Sequence, residues 1–210
     1  MVYVIFLAIA LPLALLLPLL DGHARPLILF LLLGMGTALV CWELDSLLYP
    51  LTGLDAFSFT ITVTPMVEET GKAVPILLFA LLCNSRRESL LPAAMSVGIG
   101  FALLETTAVI AQNPAAVTLG WAALRGLASS LMHGLCTMAV GAGMVYVRSH
   151  KKLFYTGTFG LLALAITLHA LFNLLLQSDY LPLAAVLPLV LYALVYLARR
   201  IGLRLPFLSY

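Results

Sequence analysis

The chain has 210 residues, 63% of them hydrophobic and only 10% charged, with a mean hydropathy of +1.11. That composition has too little polar surface to face water and reads as an integral membrane protein, with room at ~20 apolar residues per crossing for seven or eight helices and no separate soluble catalytic domain. The net charge of +2 includes no aromatic-interleaved basic run, which sets nucleic acid aside, and Cys41, Cys83 and Cys136 lack CxxC spacing and read as small core residues.

Polar and proline-rich breaks divide the chain into seven apolar spans. The first, Val2 to Leu20, lacks a basic leader and an A-x-A cleavage site, so it is expected to stay as an anchor, followed by the break Asp21 to Arg25. The second runs from Pro26 to Trp42, and Glu43 to Ala56, with Pro50 and Gly53, is expected to be the longest connection. Phe57 to Cys83, Leu91 to Gln112, Thr118 to Val147, Leu153 to Gln177 and Leu181 to Ala198 complete the set. The fifth, 30 residues, would extend ~45 Å and should tilt.

Eleven basic residues are present; leaving out Lys72 and Arg125, the other nine fall in alternate connections and the tail: Arg25, Arg86, Arg87, Arg148, Lys151, Lys152, Arg199, Arg200 and Arg204. The remaining connections hold Glu43, Asp45, Asp55 and Asp179. By the positive-inside rule the N-terminus is outside and the C-terminus cytoplasmic. No internal repeat is visible, so residues 1–210 read as one all-α, polytopic transmembrane bundle whose motif-bearing core is about 57–177.

Glu68, Glu69, Lys72, Glu105 and Arg125 lie within spans, with His133 and His169. Charges at the bilayer centre cost roughly 2.5 to 3.5 kcal/mol each, so such groups face a protein interior or a watery cavity. Glu68 and Glu69 precede Lys72 by four and three residues, on one helix face. Arg125, Ser129, His133 and Thr137 recur every fourth residue, and His169 and Asn173 are four apart. At 1.5 Å per residue Glu68 lies ~16 Å, Glu105 ~10 Å, His169 ~12 Å and His133 ~22 Å from the outer ends of their spans, a common level in the outer half of the membrane.

Glu68-Glu69-Thr70-Gly71-Lys72 fits EExxK, Phe101 to Glu105 fits FxxxE, His133 stands on the next helix, and His169 to Asn173 fits HxxxN. In that order on successive helices the chain resembles the PrsW family of intramembrane proteases, related to the CAAX prenyl proteases and other glutamate-dependent membrane peptidases. CAAX enzymes carry FxxxH where this chain has Glu105. The resemblance implies a multi-pass protease of the cell membrane that cuts a membrane-anchored protein, such as an anti-sigma factor, outside the membrane so that a second protease can finish.

Hydrolysis without a serine or cysteine nucleophile needs a base, an oxyanion donor and an acid. Glu68 is assigned as the base, on the resemblance and not on spacing. Glu69 and Lys72 tune it, His133 orients water or shuttles the proton, and His169 with Asn173 donates to the oxyanion. Glu105 fits two readings, a catalytic group or an interhelical hydrogen-bonder. No cofactor is expected; the alternative is zinc on His133, His169, Glu69 and Glu105. A Ser129 or Ser130 nucleophile with His133 lacks an orienting carboxylate. Plainer readings make Glu68, Glu69 and Lys72 a structural ion pair with a spare carboxylate, Arg125 a snorkelling residue, and Ser129, Ser130 and Thr137 back-bonded to their own helix. The expected partners are the lipid bilayer and a single-pass or membrane-tethered protein substrate, with water entering between the fourth, fifth and sixth helices at Gly98, Gly100 and Gly134. CAAX-type processing, a proton-coupled transporter and a helix-binding scaffold are the rival functions.

Overall fold

The computed structural model describes residues 1–20, 22, 24–112 and 114–201; Asp21, His23 and Arg204 lie outside the described residues. Seven α-helices and no strand occur among the described residues: α1 Val2–Leu16, α2 Ala24–Thr52, α3 Ala56–Leu82, α4 Arg87–Gln112, α5 Leu119–Met144, α6 Lys151–Leu176 and α7 Leu181–Arg200. Five are long and apolar enough to cross a membrane; the other two are α3, which carries Glu68, Glu69 and Lys72, and α7. Helices pair most of their backbone polar groups internally, as lipid demands.

Two boundaries differ from the sequence reading. The Glu43 to Ala56 connection is mostly helix: α2 continues through Pro50 to Thr52, leaving only Gly53 to Asp55 between it and α3. Pro50 falls in the last turn, where one missing backbone bond costs little, and Gly53, at φ +67°, makes the left-handed stop. Asp55 then caps α3, accepting from the Ser58 amide at 2.9 Å and the Ser58 hydroxyl at 2.9 Å, contacts that hold its carboxyl below the usual range. The fifth span ends early, at Met144, because turns carry Tyr146 to Ser149.

Helices α4 and α5 form the centre, flanked by α2, α3 and α6, while α1 and α7 lie at the periphery. Small residues permit this closeness, since between lipid-embedded helices the attraction comes from packing and not from water exclusion. A Cβ on Gly34 would sit 2.0 Å from the Val97 carbonyl oxygen, one on Gly100 2.0 Å from that of Leu31, and one on Gly98 2.3 Å from that of His133. The glycines expected to leave room for water are therefore filled, Gly98 and Gly100 by neighbouring backbone and Gly134 by the Met95 side chain 3.1 Å from its Cβ position. Arg148 donates to the carbonyls of Leu81 and Cys83, so the α5–α6 turn caps α3 at the basic end of the bundle.

Candidate active site

Four helices bring the charged residues together. On α3, Glu69 and Lys72 pair at 2.6 Å, both side chains fully buried. The Lys72 ammonium also reaches His133 Nδ1 at 2.7 Å and lies 4.7 Å over the ring of Phe101. An ammonium only donates, so Nδ1 of His133 accepts, and its Nε2 carries the proton directed to Glu105 Oε2 at 3.1 Å. His169 Nδ1 faces Glu69 Oε1 at 2.8 Å, which puts a proton on that nitrogen. The two imidazoles meet edge-on with centroids 4.7 Å apart.

Glu68 occupies the point where these groups converge. Its Oε2 is buried without a hydrogen-bond partner, 4.0 Å from His133 Nδ1 and 3.7 Å from His169 Nε2. One oxygen of Glu68 and one nitrogen of each histidine lie within 4.8 Å of one another. Of the two motif glutamates, Glu69 is tied through Oε1 to both Lys72 and His169, its Oε2 being buried without a partner, whereas Glu68 also lines the cavity.

Glu105 accepts from Arg125 at 3.1 Å, Ser129 at 3.2 Å and His133, so it anchors the α5 polar stripe to α4. Arg125 therefore points inward and does not snorkel, with Trp121 5.7 Å from its guanidinium, and Ser129 serves Glu105 instead of its own helix. Thr137 does bond back, to the His133 carbonyl at 2.8 Å. Asn173 is not brought into the cluster: its amide donates to the Thr60 carbonyl at 3.0 Å, and Gln177 donates to the Thr60 hydroxyl at 3.0 Å, tying α6 to α3.

Access lies elsewhere than expected. A cavity of about 400 Å³ runs between α2, α3 and α4, with Val2 of α1 at its edge, and Glu68 and Glu105 line its inner wall. Trp42, Asp45 and Tyr49 of α2 line it at three- and four-residue spacing; Thr60, Thr64 and Glu68 of α3 do so at every fourth residue. The sequence reading puts Asp45 in the Glu43 to Ala56 connection, whereas it lies within α2. The signal that marks it is the helical repeat Trp42, Asp45, Tyr49, legible once α2 is allowed to continue past Trp42. Glu43, on the other side of α2, accepts instead from the Tyr3 hydroxyl of α1.

The arrangement offers water a buried carboxylate with an unused lone pair, two oriented imidazoles, a fixed cation and an opening. No curated protein and no solved structure is significantly similar to the chain. A family model described as PrsW family intramembrane metalloprotease matches residues 22–199. That match takes in α2 to α7, bar the last residue of α7, and all four motifs, and on it the chain belongs to the PrsW family of membrane peptidases.

Proposed function

We propose that the protein is an intramembrane endopeptidase of the cell membrane that hydrolyses single-pass or membrane-tethered proteins, an anti-sigma factor among them, near the extracytoplasmic boundary. The observation that carries this reading is Glu68: buried, unpartnered at Oε2, between two histidines and open to the cavity. Glu68 takes the proton of a water that attacks the scissile carbonyl. Lys72, held by Glu69, keeps positive charge beside the reacting atoms; His133, oriented by Glu105, relays the proton toward the leaving amine. His169, its Nδ1 proton held by Glu69, presents Nε2 as an acceptor 3.7 Å from Glu68 Oε2, where it helps take the hydrogen of the attacking water, and the oxyanion is left to the Lys72 charge. Asn173, with its amide on Thr60, positions His169 by fixing α6 and does not donate to the oxyanion. Eight basic residues at the opposite helix ends, among the described residues, support an outward-facing cavity.

A second reading is favoured by the donor set and by the family's description. Glu68 Oε2, His133 Nδ1 and His169 Nε2 fit a divalent cation such as zinc, because the far nitrogen of each histidine already faces a carboxylate, Glu105 or Glu69. These three residues would hold the ion, which when bound supplies Lewis-acid polarisation of a carbonyl and an acidified water. In that reading Glu68 is a ligand, and Lys72 keeps Glu69 while giving up His133 Nδ1.

Co-expression with candidate single-pass substrates tests the function: native protein should release an extracytoplasmic fragment, and Glu68→Gln and His169→Ala should not. Fragments ending on the cytoplasmic side would refute the boundary. Metal content of protein purified without added metal separates the two readings, one zinc per chain favouring the second.

A further inference from the structure

We propose that Asp45 forms a subsite for a basic side chain of the substrate, Lys or Arg, two to three residues outward of the cleaved bond. The inference rests on the peptidase reading above. Among the residues lining the cavity there are three carboxylates, Asp45, Glu68 and Glu105, and no lysine or arginine. Glu105 has its three donors, and Glu68 belongs to the reaction centre. Asp45 is left over. Asp45 is half-buried and the Thr64 hydroxyl offers its carboxylate a hydrogen bond, yet its Oδ1 is buried with no hydrogen-bond partner. A carboxylate oxygen held without a donor is costly, and an ammonium or guanidinium in the cavity, met by rotation of the half-buried Asp45 side chain, supplies the missing bond in its stronger, charge-assisted form.

The walls suit the stem of such a side chain. Trp42 and Tyr49 lie one turn before and one turn after Asp45 on the same face of α2, with Phe59 across the cavity packed edge-on against Tyr49 at 5.1 Å. Methylenes pack on these rings, and their π faces attract the charged head. About 400 Å³ admits a side chain and a short extended segment, not a folded domain.

Depth sets the register. Asp45 precedes the end of α2 at Thr52 by about 10 Å of helix, and Glu68 follows the start of α3 at Ala56 by about 18 Å. Asp45 is therefore nearer the mouth by ~8 Å, the span of two to three residues of the unwound strand that hydrolysis requires.

Binding and cleavage test this separately. In Glu68→Gln protein, where the other free carboxylate is gone, butylguanidinium should bind at least tenfold more tightly than its neutral isostere butylurea. The preference should disappear in Glu68→Gln/Asp45→Asn and persist in Glu68→Gln/Asp45→Glu. Equal affinities, or a preference that survives Asp45→Asn, overturn the subsite. In the cleavage arm, tethered peptides with Lys or Glu at that position should differ at least tenfold in kcat/KM in favour of Lys, and Asp45→Lys should reverse the order. Cleavage without this preference removes the subsite and leaves the peptidase standing. Cationic selectivity without cleavage of any substrate does the opposite.

Discussion

Gly98→Ala is the sharpest test of how the fold holds the site. The added Cβ would sit 2.3 Å from the His133 carbonyl oxygen, 2.6 Å from its carbon and 2.7 Å from Gly134 Cα, against 3.4 Å for ordinary contact. These are backbone atoms in the α4–α5 crossing, so no rotamer relieves the clash and the helices must part by ~1.1 Å at the level of His133. The His133 bonds to Lys72 and Glu105, 2.7 and 3.1 Å, would lengthen toward the limit of hydrogen bonding. Overpacking of this kind costs about 1–3 kcal/mol, a fall of several degrees in Tm. A 1 Å displacement of a catalytic group costs on the order of 100-fold in rate. Gly126→Ala on α5 and Gly160→Ala on α6 meet nothing within 4 Å and serve as controls, with Tm unchanged or slightly raised. Thermal unfolding of purified protein and cleavage of a tethered peptide measure both effects. A Gly98→Ala protein that melts and cuts like the native one, or controls as damaged as Gly98→Ala, would refute the reasoning.

Glu68→Gln should reduce cleavage by about 10³-fold or more without lowering Tm, since it neutralises an unpaired buried oxygen. Native activity should decline as pH falls, because a base must be unprotonated to act; an active Glu68→Gln variant without that acid limb would show that another group is the base. Arg125→Leu should cost about tenfold or more in kcat, with KM little changed, by releasing Glu105 from His133; an unaffected rate would restore the snorkelling reading. Lys72→Met should destabilise by about 3–5 kcal/mol by stranding Glu69, and Lys72→Met/Glu69→Gln should recover part of it in the same unfolding assay. Reporter fusions in residues 53–55 should give an extracytoplasmic signal, and a cytoplasmic one would invert the orientation.

The sequence by itself carried the helical class, the seven helices and, Asn173 and Asp45 apart, the residues that lie together in the candidate site. Lipid makes this legible: a segment must be helical and apolar to enter, so each intramembrane charge stands out as something packing must house. Four-residue spacing then shows which charges share a face, as for Arg125, Ser129 and His133. Charge at the end of an apolar run is ambiguous, however. Asp45 and Glu43 looked alike as loop acids, and Arg125 looked like an interface cation. Their partners lie on other helices, Glu105 being twenty residues from Arg125 and His169 one hundred from Glu69. Only the rotation and close crossing of whole helices, set by Gly34, Gly98 and Gly100 against neighbouring backbone, decided that Arg125 turns inward to Glu105 and Asp45 to the cavity. The same packing decided that Glu69 meets Lys72 and His169 through Oε1 while Glu68 faces the cavity. Hydrophobic periodicity gives a helix its buried face, but which polar atom meets which is a property of the assembled bundle.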